Sequence, residues 1–172
     1  MNKYMYHLLI LLMMAMALGC ESKRNQYYNH GVGLASNGDF QQAILSYSKA
    51  IEMDPVYFKS YYNRGTAYLV LSQYDKAEND LNKAIELDNN LIVARGSLGH
   101  TYFHTGELDK AMEIQTSALK QAEELGDKHG MGLILNSIAI IYKQKGYYDK
   151  SLDYFNRSLK IWVDTDNKKM MG

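Results

Sequence analysis

Apolar side chains recur along this chain at three- and four-residue intervals, and small residues return among them at fixed distances. Ala43, Ala77 and Ala111 lie 34 residues apart, and Ser151 takes the same place 40 residues further on. The register extends on both sides. Gly38, Ser72, Gly106 and Gly146 stand first, Phe40, Tyr74, Leu108 and Tyr148 two residues later, and Ala50, Ala84, Ala118 and Ser158 seven residues beyond the alanine column. Upstream, Gly31, Gly65, Gly99 and Ala139 precede Leu34, Tyr68, Tyr102 and Tyr142 by three. Helical periodicity on either side of a glycine or serine predicts pairs of short amphipathic helices joined by a tight turn. The small columns mark where paired helices cross closely, and overpacking such a crossing costs roughly 1–3 kcal/mol.

A helix-turn-helix unit of this length, with small residues at its crossings, an aromatic near the turn and a late proline, resembles the tetratricopeptide repeat. Tyr62-Asn63-Arg64-Gly65-Thr66-Ala67-Tyr68, followed by Gln73-Tyr74-Asp75-Lys76-Ala77, carries the resemblance, and Pro55 fills the late-proline place. The resemblance implies an all-α fold, an α-solenoid of stacked repeats coiling as a right-handed superhelix. Repeats fall at 24–57, 58–91, 92–131 and 132–165, with 166–172 as the start of an incomplete further repeat. Asn89 and Glu123 replace the late proline, and Gln115 stands in a column held by Tyr47 and Phe155. The third unit is longer by six residues around 123–128, which implies longer helices in the second half, as in family members with 40-residue units.

Residues 1–19 are a different object. They hold one basic residue, Lys3, no acid, and an apolar run of 11 residues from Leu8 to Leu18. A run that short reads as a secretory signal rather than as a lasting membrane span, which needs about 20 residues. Ala17-Leu18-Gly19-Cys20 closes it and resembles a bacterial lipobox, although Ala17 and Leu18 depart from the family's preferred residues. That resemblance implies acylation of Cys20, cleavage before it, a tether at 20–23, and export to a membrane, the outer one facing the periplasm. An ordinary signal peptide with an unrelated cysteine is the alternative. Cys20 is the chain's single cysteine, so no internal disulfide is available to the fold.

Without residues 1–19 the chain keeps 18 basic and 19 acidic side chains, interspersed as in Asp75-Lys76-Ala77-Glu78, so no nucleic acid is expected as a partner. Phosphate loops, cysteine pairs and nucleophile elbows are missing from the sequence, which gives no support to an enzyme or a cofactor. His100 and His104 stand four residues apart and could grip one metal ion. A zinc site takes at least three protein ligands, however, and no adjacent helix supplies a third, so the pair is placed on the inner wall of the solenoid instead. His30 shares a column with Arg64, Leu98 and Ile138 and is expected to pack.

Stacked first helices expose the same columns again and again and so build one continuous groove. On that wall the expected partner-binding residues are Tyr28, Asn29, Lys59, Tyr62, Asn63, Thr66, His100, Phe103, His104, Asn136 and Lys143. In the family, asparagines on this face bond a peptide backbone, and Tyr supplies amphipathic contact area of the kind found at hot spots. The Lys and Asn set that clamps a terminal carboxylate in some members is incomplete. The expected function is a membrane-anchored scaffold for a protein or peptide; the alternative is the sensory portion of a histidine kinase or helix-turn-helix regulator. Residues 167–172 repeat the register of 127–132, so Ile161, Trp162, Met170 and Met171 are expected to stay partly uncovered: either a partner or self-association covers that end, or the chain is the front portion of a longer protein.

Overall fold

In the computed structural model, which describes the backbone of residues 3–170 and the side chains of His7 and of residues 19–165, eight α-helices follow one another. They are α1 (Lys3–Ser36), α2 (Phe40–Met53), α3 (Phe58–Val70), α4 (Tyr74–Leu87), α5 (Ile92–His104), α6 (Leu108–Leu125), α7 (Lys128–Gln144) and α8 (Tyr148–Met170). Consecutive helices pair as the hairpins α1–α2, α3–α4, α5–α6 and α7–α8, and the second helix of each pair packs on the first of the next. The first helices also touch in series, α1 on α3, α3 on α5 and α5 on α7. That arrangement is an α-solenoid with the first helices forming one wall.

The turn inside each hairpin is built the same way four times. Gly38, Ser72, Gly106 and Gly146 adopt φ values of 82°, 58°, 84° and 81°, the left-handed region in which glycine is free of Cβ strain. This reversal lets the amides of Asp39, Gln73, Glu107 and Tyr147 donate to the carbonyls of Leu34, Tyr68, Tyr102 and Tyr142 at 2.9–3.0 Å, satisfying carbonyls the helix end would otherwise orphan. Asp39 then caps α2 by accepting the Gln42 amide.

Glycine seams hold the paired helices close. A Cβ on Gly31 would stand 2.6 Å from the Tyr47 ring, one on Gly65 3.0 Å from Leu81, and one on Gly99 2.5 Å from Gln115. Opposite them Ala43, Ala50, Ala77, Ala84, Ala111 and Ala118 are fully buried. The core is segmented along the stack: Leu81 and Leu98 centre one cluster, and Ile134, Leu135 and Ile138 centre the next. Arg64 ties two repeats together, donating to both carboxylate oxygens of Asp80 at 2.7 and 2.8 Å and to Ser48 of α2 at 2.8 Å.

The longer third unit appears as longer helices. α6 has 18 residues and α7 17, against 14 and 13 in α4 and α5. Gly126, at φ 67°, ends α6, and Asp127 accepts the Gly130 amide to start α7. The repeat boundary drawn at 131/132 therefore lies inside α7, because Asp127 is an N-cap that starts the helix four residues earlier. In the first linker, by contrast, Asp54 accepts the Val56 amide, and in the second Asp88 accepts that of Asn90.

The backbone of α1 runs unbroken through the leader into the first repeat. Side chains 8–18, which carry the apolar run, lie outside the described residues, as do those of Met170, Met171 and Gly172. Among the described residues no helix is long and apolar enough to cross a membrane. Cys20 is exposed on α1. Ile161 and Trp162 are half-buried; a Cβ on Gly132 would stand 2.8 Å from the Trp162 ring. His30 departs from expectation: it is exposed and hydrogen-bonds Ser46 at 3.0 Å. Its column is buried at Leu98 and Ile138, where the preceding hairpin packs on the helix, and partly buried at Arg64; among the described residues no hairpin packs on that side of α1.

Candidate functional site

The wall of first helices presents two adjoining clefts. One, of about 200 Å³, is lined by Tyr62 of α3, Val93, Gly96, Ser97 and His100 of α5, and Leu133, Ile134, Asn136 and Ser137 of α7, among others. Its neighbour, of about 130 Å³, is lined by His100, Phe103, His104, Ser137, Ile140 and Ile141. His100 and Ser137 belong to both, so the two are parts of one groove. Three first helices meet there, α3 touching α5 and α5 touching α7, while Gly99 and Ala139 are enclosed within their own hairpins.

Polar groups in the groove are held by one another. The Ser137 hydroxyl donates to the Leu133 carbonyl at 3.1 Å, and its oxygen lies 2.8 Å from His100 Nε2. With the serine proton so used, Nε2 carries the proton of the neutral imidazole and donates to Ser137. Crowding of atoms around the His100 ring, which keeps an open outer edge, holds its pKa below the usual histidine value, and His104 acts in the same direction. Burial raises the pKa of Tyr62, whose hydroxyl is hydrogen-bonded with Ser97.

Further along the wall, Asn63 Nδ2 donates to Tyr28 Oη at 2.9 Å, and Tyr28 sets its ring edge-on to Tyr57. Both side chains are therefore fixed, and the amide oxygen of Asn63 is the group not used in that bond. His104 stacks on Tyr74 with rings 5.7 Å apart and 7° from parallel, and Phe103 meets His104 edge-on. The two histidines thus turn to different neighbours, Ser137 and Tyr74. Among the described residues no group of three or more His, Cys, Asp or Glu side chains is placed to hold a metal ion.

Of the residues expected on the wall, the structure brings Tyr62, His100, Phe103, His104 and Asn136 into the groove. Thr66 donates its hydroxyl to the Asn63 carbonyl within its own helix. Lys59, Asn29 and Lys143 are exposed, Lys59 with its ammonium 6.0 Å from the Phe58 ring centre. Val93 and Leu133, absent from the expected set, also line the groove; they lie in the column of Lys59 and are exposed on a polar face. An aliphatic residue in such a column was the available signal. A charge pattern accompanies them: none of the chain's 19 acidic side chains lies between residues 24–36, 58–70, 92–104 or 128–144, the four stretches of first helix that form the wall.

Comparison with known proteins agrees with the fold. Family models described as tetratricopeptide repeat match residues 58–91 and 89–162, and one described as TPR repeat matches 34–72. A crystal structure of MamA is similar at 26% identity and a TM-score of 0.73, covering 84% of this chain and 81% of MamA. The TPR2B domain of yeast Sti1, solved as a pHsp70 complex, is similar at 23% identity and a TM-score of 0.64, over 77% of this chain and 98% of that one. The second TPR domain of human RPAP3, solved with an HSP70 peptide, is similar at 24% identity and 0.65, over 71% and 97%. No curated protein sequence matches the chain.

Proposed function

The chain belongs to the tetratricopeptide repeat family, and on that premise we propose that its groove holds a segment of another protein through Tyr62, Asn63, His100 and Asn136. The observation that carries this reading is the continuous cleft across α3, α5 and α7, apolar at Val93, Leu133, Ile134 and Ile140 and lined with hydrogen-bonding groups. Clefts of that mixture fix an apolar side chain by burial and a backbone by polar contacts. An acid-free wall adds a preference: a segment without net positive charge is favoured, because Lys59 and Lys143 have no carboxylate neighbour on the wall to offset them. The protein acts as a scaffold rather than as an enzyme.

The same reading places the scaffold at a membrane. Cys20, at the end of the apolar leader, is the acylation site, and several acyl chains hold a soluble domain where one chain would bind only marginally. The protein is exported and anchored by lipid to the outer membrane. Capture of partners from detergent-solubilised membranes by the tagged protein, compared with a Tyr62→Ala/Asn63→Ala variant, tests the groove; equal recovery of every partner by both proteins refutes it.

A further inference from the structure

One column of the wall changes character in the third repeat. Tyr28, Tyr62 and Gly96 occupy equivalent places on α1, α3 and α5, and Asn63, Ser97 and Ser137 stand one place further along the register on the following helices. Both tyrosines bridge to those partners: Tyr28 Oη accepts from Asn63 Nδ2 at 2.9 Å, and the Tyr62 hydroxyl is hydrogen-bonded with Ser97. The same step from Gly96 leads to Ser137, but glycine has no ring with which to make it. Ser137 is bonded by His100 instead, one turn further along α5.

A space is left where that third ring would lie. A Cβ on Gly96 would meet nothing within 4 Å, and the cleft of about 200 Å³ opens over it, bordered by Tyr62, Val93 and Leu133. Residues of three successive hairpins line this cleft, so it lies within the stack.

What the space accepts follows from its lining. The Tyr62 hydroxyl and His100 Nε2 are already bonded, to Ser97 and Ser137. A charged group entering at neutral pH would therefore lose water and meet no opposite charge. Bare backbone at Gly96 lets a flat group approach closely, and the Tyr62 and His100 rings beside it offer an aromatic guest contacts beyond simple burial. The Ser137 oxygen donates its proton to Leu133 and accepts from His100, which leaves it one lone pair. A guest tyrosine would meet that lone pair as Tyr62 meets Ser97.

Resting on the groove reading above, we propose that the notch at Gly96 is the anchor pocket of the groove and takes one aromatic side chain, tyrosine or phenylalanine, from the bound segment. The partner then supplies the ring that Tyr28 and Tyr62 supply from the chain itself. Residues flanking that ring are neutral or acidic, since the first helices carry no acid to repel a carboxylate or to pair with a cation.

The probe is a library of random short peptides displayed on phage and selected on the full chain in non-ionic detergent. Selected peptides are expected to share one aromatic position. Changing it to alanine is expected to weaken binding at least roughly tenfold, and changing it to leucine by about threefold. Gly96→Tyr, which puts the column's own residue into the notch, is expected to weaken the same peptides at least roughly tenfold, with helix content unchanged because the position is open. Gly96→Ala fills little of the notch and is expected to keep them. Where Gly96→Tyr lowers helix content, Gly96→Leu replaces it. Peptides that lose affinity for Tyr62→Ala/Asn63→Ala but bind Gly96→Tyr as they bind the parent keep the groove and overturn the anchor. Peptides indifferent to both variants overturn the groove, and the anchor with it. A selection without a shared aromatic, or without any binder, likewise overturns the proposal.

Discussion

Gln115 lies against Gly99 so tightly that a Cβ on the glycine would stand 2.5 Å from Nε2, 2.7 Å from Cδ and 2.9 Å from Cγ. The glutamine is fully buried, with its amide donating to the Gly96 carbonyl at 3.1 Å. It therefore has no open space into which to retreat. Gly99→Ala is expected to destabilise the fold by about 1–3 kcal/mol. Gly96, one turn earlier in the same helix, has nothing within 4 Å of its Cβ position. Gly96→Ala is expected to stabilise by about 0.5–1 kcal/mol, the ordinary gain for alanine inside a helix. Urea unfolding of the two variants checks the opposite signs, and equal shifts would mean that the α5–α6 seam is placed wrongly.

Ser72 does in one turn what glycine does in the other three. Its φ of 58° strains an L side chain by about 1–2 kcal/mol, part of which glycine would return as unfolded-state entropy. Ser72→Gly is expected to raise stability by about 0.5–1 kcal/mol, read as a rise of about 1–4 °C in Tm. Gly106→Ser, the reverse change one repeat on, is expected to lower it by a similar amount.

Those two seams and turns are also where sequence and structure agree most closely. Alanine and glycine columns could be read directly, because a helix crossing and a left-handed turn each admit few residue types. The start of α7 at Lys128 is harder to read, since its cap, Asp127, lies within a six-residue extension with no counterpart in earlier repeats. His30 differs for another reason: its column is closed over Leu98 and Ile138 by a neighbouring hairpin, only partly over Arg64, and not over His30. The groove was legible as columns but not as contacts. The sequence places His100 and His104 on one wall, yet only the packing of α7 and α4 against them turns one to Ser137 and the other to Tyr74.

Cys20 gives the membrane reading a direct check. Cells fed radioactive palmitate are expected to label the wild-type chain and not Cys20→Ser, and the labelled form is expected to lack residues 1–19 by mass. Label on both proteins, or a mature form that retains the leader, would remove the lipid anchor while leaving the groove untouched.

On the wall, Tyr62 and Asn63 offer adjacent but different contributions. Tyr62 lines the larger cleft, whereas Asn63 is fixed by Tyr28 with its amide oxygen outward of that bond. Removing both is expected to weaken partner capture by at least roughly tenfold, the loss typical of two central interface residues. Circular dichroism should stay unchanged, because both side chains are only half-buried. Ser97→Asp, which puts the first acid on the wall, is expected to weaken the same partner and to leave the fold intact. Recovery undiminished by either change would rule out this face.

His100 supplies a dependence on pH whose sign can be worked out. Its crowded surroundings and His104 lower its folded-state pKa beneath the ordinary 6.5, so the unfolded chain binds the proton more tightly. The unfolded state then carries more protons than the folded one as pH falls below about 6.5, and stability must fall with it. The contribution is fully present above that pH and is lost on the way down to the lower folded value. His100→Gln can still donate to Ser137 but has no proton to gain. The drop in Tm between neutral and mildly acidic buffer is accordingly expected to be smaller for His100→Gln than for the wild type. Protonation also breaks the neutrality of the groove at the point where its two clefts meet, so an acidic segment should bind more tightly over the same interval. A wild-type protein whose Tm falls no faster than that of His100→Gln would mean that the imidazole is as free to charge in the fold as it is in the unfolded chain.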